Sequence, residues 1–241
     1  MPRLVWSAWV LAMVLAAMSC TTFGTDSPDG SADGGGTDAG ATGDGPATDA
    51  SGPETSTDAD AGDEDAARPT CAGEASCERY VFVSSERFTG EDIGGAIGGD
   101  GRCNAYAARA GTLPKLAGRA FQAWLSDDLA NFTASARLTH GTKPYRLVDG
   151  TLVANDWSQL TSGSVLHPID VTEQGLTVGQ DFVWTGTSAL GQLATKTCTN
   201  WSLNGSDNTG AVGRASAQDS AWTNAGLASC GTAHRLYCFE K

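Results

Sequence analysis

The chain ends with the stretch CGTAHRLYCFEK, Cys230–Lys241, and its last cysteine stands three residues from the C-terminus. Within it, Arg235–Glu240 (RLYCFE) predicts a short final strand. Chain ends normally fray, and a buried thiol there gains little from packing. The position of Cys238 therefore needs an explanation beyond packing.

Cysteine usage along the whole chain offers that explanation. Six of the seven cysteines lie after residue 70, at Cys71, Cys77, Cys103, Cys198, Cys230 and Cys238. An even number in an exported chain is typical of a disulfide framework, and six cysteines allow 15 pairings. A zinc site is disfavoured because no C-x-x-C pair occurs and no histidine stands near paired thiols at ligand spacing.

The N-terminus predicts export. Arg3 precedes an apolar run, Leu4–Met18, that is shorter than the roughly 20 residues of a membrane-spanning helix and is typical of a secretory signal. The run ends in Ala-Met-Ser-Cys, which resembles a bacterial lipobox. We therefore expect residues 1–19 to be a lipoprotein signal peptide and Cys20 to carry the lipid that anchors the protein in the outer membrane, at the cell surface. An ordinary cleaved signal with an incidental Cys20 is the alternative.

Residues 20–69 predict a disordered acidic linker behind the lipid. The segment is mostly Gly, Ala, Asp, Ser, Thr and Pro, and it holds ten Asp and two Glu against Arg68 alone. Such a composition cannot bury enough apolar surface to fold, and its charges repel one another. Most of the chain's net charge of −13 thus belongs to this spacer. The rest is only mildly acidic and has no Arg/Lys stripe, which argues against nucleic acid as a partner.

Residues 70–241 predict one α+β domain with little helix, short strands and long ordered loops. Its helix is expected at Ile97–Ala110, where Cys103, Tyr106 and Ala107 share a face. The Asp149-Gly150 pair suits a two-residue type I′ turn in a hairpin. The predicted strands are Arg79–Ser84, Ala120–Leu125, the hairpin Tyr145–Ala154, Phe182–Thr185, Cys198–Leu203 and Arg235–Glu240.

No catalytic constellation stands out in this domain. There is no G-x-S-x-G elbow or phosphate-binding loop, and the adjacent acids Glu91-Asp92 and Asp127-Asp128 suit helix starts. The isolated histidines, His140, His167 and His234, are expected in solvated loops or at strand edges. The chain is therefore not expected to be an enzyme. A hydrolase would need a cleft holding His140 or His234 beside a carboxylate.

The segment Thr199–Asn224 carries the candidate ligand-binding residues. It combines amides, hydroxyls and carboxylates with two tryptophans, and aromatic faces beside planar amides suit carbohydrates or flat protein surfaces. The alternative is that both tryptophans anchor the core. The candidates are Trp201, Asn204, Asp207, Asn208, Trp222 and Asn224.

Several motifs together resemble a known family. Cys103 in the early helix, Cys198-Thr-Asn-Trp201, Cys230 and the terminal L-x-C-x-E at Leu236–Glu240 resemble endostatin and the wider C-type-lectin-like fold. GRAFQAWLSD (Gly118–Asp127) resembles an endostatin strand. RYVFVSS, WTGT, CTNW and RLYCFE resemble an uncharacterised domain of bacterial surface lipoproteins, including the endostatin-like lipoproteins of spirochaetes.

The resemblance implies the fold and the nested bridges Cys103–Cys238 and Cys198–Cys230, which leaves Cys71–Cys77 to close a small loop. It does not carry over the family's sites. The calcium-binding tripeptide and W-N-D motif of sugar-binding C-type lectins are missing, so no cofactor is expected, although calcium stays open. Endostatin's zinc histidines and arginine-rich surface are also missing.

The sequence therefore predicts a surface lipoprotein that acts as a non-catalytic binding module, adhesin-like, for a polysaccharide or an extracellular protein. Spirochaetal members of the family bind host matrix proteins and complement regulators, which the resemblance makes conceivable here. A structural component of the envelope or extracellular matrix is the alternative, and an undetected hydrolase is the second alternative. Membrane contact is expected through the lipid anchor only.

Overall fold

The computed structural model describes residues 70–241. The predicted signal peptide (1–19), the lipid attachment at Cys20 and the linker (20–69) lie outside the described residues. Among residues 70–241, no helix is both long enough and apolar enough to cross a bilayer.

The described residues form a mixed sheet of eight strands with few, short helices. Its order is β4-β3-β1-β8-β5-β6-β7, and β2 pairs with β8 beside this path. The strands are β1 (Arg79–Val83), β2 (Phe121–Ala123), β3 (Tyr145–Leu147), β4 (Leu152–Ala154), β5 (Phe182–Trp184), β6 (Thr209–Arg214), β7 (Gly226–Ser229) and β8 (Arg235–Glu240). The α+β class predicted from the sequence is confirmed.

The C-terminal strand β8 lies in the middle of this sheet. It pairs antiparallel with β1 (Val81 opposite Phe239) and with β2, and parallel with β5. All six of its residues are buried. The continuous apolar run Leu236–Phe239 matches this position, because a central strand is buried on both faces.

The helices are α1 (Gly90–Ile93), α2 (Gly95–Ala107), α3 (Ala134–Arg137) and α4 (Trp157–Leu160). The predicted helix at Ile97–Ala110 is confirmed as α2, which begins two residues earlier and ends three residues earlier than predicted. In α1 the acids stand in the first turn as expected, and Asp92 accepts bonds from the backbone N–H and hydroxyl of Thr89, which lower the pKa of its carboxyl. No described helix begins at Asp127-Asp128. Asp127 is buried and accepts the N–H of Leu129 instead.

The predicted hairpin is present, but its turn differs from type I′. A type I′ turn needs positive φ at both central residues, whereas in the Asp149-Gly150 pair only Gly150 has one, at 92°. The Gly150 N–H donates to Leu147 O, and the Leu147 N–H donates to Thr151 O. The hairpin thus has a three-residue loop that ends in a left-handed glycine.

Three disulfides join Cys71 to Cys77, Cys103 to Cys238 and Cys198 to Cys230. These are the pairs that the resemblance implied, and they indicate an oxidising compartment. Cys103–Cys238 ties α2 to β8 across 135 residues. Chain-entropy theory gives about 5 kcal/mol for closing such a loop, and native strain subtracts from that value.

Glu240, two residues after Cys238, connects the beginning and the end of the described domain. Glu240 is buried in an ion pair with Arg119 at 2.7 Å. It also accepts the backbone N–H groups of Tyr80 and Cys71, at 3.0 and 3.2 Å. The Glu240 carboxylate therefore adds a hydrogen bond to the sheet pairing of β1 with β8, and its ion pair ties β8 to Arg119, just before β2.

Candidate functional site

The prediction of a strand at Cys198–Leu203 is wrong. The structure has a left-handed turn at Cys198–Trp201 instead. All four residues have φ between 52° and 58°, although none is glycine. The left-handed conformation costs an L-residue roughly 1–2 kcal/mol, so four in succession need external support.

One disulfide and two hydrogen bonds give the turn that support. Cys198 is held by its disulfide to Cys230. The indole N–H of Trp201 donates to Ser126 O at 2.9 Å, and its backbone N–H donates to Thr197 O at 2.7 Å. The turn is therefore fixed at both ends, with Thr199 exposed between them.

Both candidate tryptophans belong to the core, which corrects their assignment as ligand-binding residues. Trp201 and Trp222 are fully buried. Trp201 packs edge-on against Trp184, and Trp222 packs against Trp124 with 5.0 Å between ring centroids. Neither can offer a ring face to a ligand, so the core-anchor alternative holds for both.

A polar groove of about 250 Å³ lies beside the left-handed turn. Its walls carry four threonine hydroxyls, two carboxylates, an amide and an ammonium group, with little apolar surface. The lining residues are Asp128, Thr195, Lys196, Thr197, Thr199, Asp207, Asn208 and Thr209. We call this the polar groove.

Main-chain and side-chain bonds position the walls of the polar groove. The amide oxygen of Asn200, in the left-handed turn, accepts the backbone N–H of Asp128 at 2.6 Å. The backbone carbonyl of Asn208 accepts the backbone N–H of Cys230. The disulfide Cys198–Cys230, which holds the turn, therefore also holds this wall of the groove. Loops from distant parts of the sequence thus meet in one groove.

Of the six predicted ligand residues, the structure brings only Asp207 and Asn208 into the polar groove. Asn204 and Asn224 are exposed but do not line it. Asp128 was missed because it lies far from Asp207 in sequence, and Lys196 stands just before the candidate segment Thr199–Asn224. For Thr199 the sequence did offer a signal, because this residue belongs to the CTNW motif that begins with the paired Cys198.

The chemistry of the polar groove suits a polyhydroxylated ligand. Hydroxyls both donate and accept, carboxylates accept, and ammonium donates, so adjacent sugar hydroxyls can each find a partner. Lys196 adds a positive charge to a groove that also carries Asp128 and Asp207. Among residues 70–241, no three His, Cys, Asp or Glu side chains are grouped to hold a metal ion.

The three histidines have different surroundings. His140 is exposed, stacks on Trp157 at 4.1 Å and has Nε2 2.7 Å from Ser135 O. His167 is half-buried, with Nδ1 3.0 Å from Pro168 O. His234 lies at the edge of a strand, directly before β8, as one of the two predicted positions had it, but its side chain is buried and not solvated.

His234 is 9% exposed, and burial, followed by the charge of Arg87, lowers the pKa of its imidazole. It lies near Asp181, but both oxygens of that carboxylate are bound by Arg87 and Arg235. The His–carboxylate pair that a hydrolase would need is therefore not formed through Asp181.

Comparison with protein-family models and with curated proteins finds no match for this chain.

Proposed function

We propose that residues 70–241 form a non-catalytic binding module for carbohydrate, displayed outside the cell by a lipid on Cys20 and an acidic linker. The module belongs, in this proposal, with the endostatin-like and C-type-lectin-like domains of bacterial surface lipoproteins. The disulfides and the signal-like N-terminus support export, and the order of the cysteines supports the family.

The polar groove is the observation that carries the carbohydrate assignment. Its walls hold hydroxyl, amide, carboxylate and ammonium groups on a backbone fixed by a disulfide and a left-handed turn. Groups that are already positioned lose little conformational entropy when a ligand binds. A solvated loop would not need four residues in a costly backbone conformation.

The test is a combined glycan and matrix-protein array, probed with the oxidised full-length chain in calcium and then in chelator. We expect a saturable glycan signal in both conditions, because Lys196 supplies a resident positive charge in the polar groove. Asp207→Asn and Asn208→Ala should each weaken binding by about tenfold, as the loss of a charge-assisted hydrogen bond does. Glu91→Gln, an exposed acid in α1, is the matched control and should bind normally.

Two results would overturn the proposal. Signals confined to matrix-protein spots would assign the surface to protein recognition. A blank array from a folded chain with three intact disulfides would favour the structural alternative.

A further inference from the structure

A second cavity, of about 380 Å³, lies on the sheet of β5, β6 and β7 and shares no lining residue with the polar groove. Its volume falls within the roughly 300–1,000 Å³ of small-molecule sites. Its walls are mainly apolar with a few polar groups, which is the composition such sites show. The residues that matter here are Phe182, Val212, Arg214, Leu227, Thr232 and His234. We call this the apolar cavity.

His234 places a buried imidazole ring in the wall of this cavity. Its side chain is almost fully buried, and Nε2 has no hydrogen-bond partner among the described residues. The ring is fixed edge-to-face against Trp184 at 4.6 Å and Phe182 at 5.9 Å. Nε2 itself has almost no accessible surface, so His234 serves a ligand as a fixed aromatic wall of the cavity.

Arg214 supplies a cation at the mouth of the apolar cavity. Phe182 and Arg214 stand opposite each other in the pairing of β5 with β6, and the guanidinium lies 5.5 Å from the Phe182 ring centroid. Arg214 is exposed, and no carboxylate of residues 70–241 pairs with it. Stacking on an aromatic face orients the guanidinium while leaving its N–H groups available to a carboxylate.

The neighbouring charges also favour an anion. Asp181, next to Phe182, is bound by both Arg87 and Arg235. Two guanidiniums against one carboxylate leave this cluster with a net positive charge. The cluster therefore adds to the attraction of Arg214 instead of opposing it.

We propose that the apolar cavity binds a small carboxylate with an aromatic or alkyl body. The body lies among Phe182, Val212 and Leu227, beside the ring of His234, and the carboxylate pairs with Arg214. This site is separate from the polar groove and does not depend on the carbohydrate proposal.

Nitrogen-15 NMR of the histidine side chains in the full-length chain tests this directly, with 3-phenylpropionate as the probe. The chain has three histidines, so His140 and His167 serve as internal references for His234. We expect saturable shifts at the His234 nitrogens only. 3-Phenylpropanamide, which lacks the charge, and acetate, which lacks the body, should each bind at least about tenfold more weakly.

Variants separate the charge from the fold. Arg214→Met should weaken 3-phenylpropionate binding by about tenfold. Arg102→Met is the matched control, because Arg102 also stacks on a ring, at 5.4 Å over Phe88. It should leave binding unchanged.

Three results would overturn the proposal. They are no movement of the His234 signals up to the solubility of the probe, equal binding of the amide, and an Arg214→Met variant that binds like the parent.

Discussion

Replacing Thr199 by glycine should stabilise the protein. Thr199 lies in the left-handed turn at φ 53° and ψ 63°, and its side chain is exposed. A β-branched residue is a true outlier in this region, because its Cβ substituents crowd the backbone. Glycine adopts the same conformation without that crowding.

Two opposing terms set the size of the effect. Relief of the left-handed conformation is worth about 1–2 kcal/mol. The greater freedom of glycine in the unfolded chain removes about 0.5–1 kcal/mol of that gain. The difference spans about 0–1.5 kcal/mol, so we expect the free energy of unfolding to rise by about 0.75 kcal/mol, which raises Tm by about 1.5–3 °C for a domain of this size.

Denaturant unfolding of the oxidised chain, with a calorimetric Tm, measures this change. Thr177→Gly is the control, since Thr177 is also exposed but does not have a positive φ. At Thr177 glycine only increases the freedom of the unfolded chain, so we expect the free energy of unfolding to fall by about 0.5–1 kcal/mol. If Thr199→Gly destabilised the chain as much as Thr177→Gly, the turn would carry no strain and the reasoning would fail.

Two further predictions concern packing and pH. Gly213→Ala should destabilise the chain by about 1–3 kcal/mol, because an added Cβ would stand 2.0 Å from the backbone oxygen of Trp222. Gly101→Ala, where a Cβ meets open space inside α2, should be neutral or stabilising in the same unfolding assay. Burial and Arg87 hold the pKa of His234 below its usual 6.5, so the unfolded state binds more protons just below that value. The free energy of unfolding should then fall as pH drops from 7 toward 5, and His234→Phe, compared at each pH, should show a smaller fall.

Glycine explains the strands that the sequence did not predict. β6 (TGAVGR) and β7 (GLAS) have compositions typical of loops. However, a Cβ at Gly210 would stand 2.8 Å from the Cys198 sulfur and 3.0 Å from the Trp184 ring. Close approach of the core therefore requires glycine at Gly210 of β6, and that need comes from tertiary packing that local composition does not show.

The opposite mistake occurred at Cys198–Leu203, where the sequence predicted a short strand and the structure has a left-handed turn. Cys198 is bonded to Cys230 and Trp201 is buried against Ser126, so tertiary contacts overrode local preference. By contrast β1, β8 and α2 were predicted because their apolar spacing matches the element that buries them. Asp207 and Asn208 were found in the sequence by residue type, whereas the opposite wall at Asp128 depended on the fold.

The 32-residue span from Cys198 to Cys230 joins both proposed sites. It contributes Thr199, Asp207 and Asn208 to the polar groove, and Arg214 with β7 to the apolar cavity. Closing a loop of this length stabilises a fold by about 3.7 kcal/mol in chain-entropy theory, which exceeds the net gain expected from a loop of small polar residues. The bridge at Cys103–Cys238 secures the sheet, and the bridge at Cys198–Cys230 keeps the strained turn in place. Binding groups on a glycine-rich segment can therefore be rigid without a large core of their own.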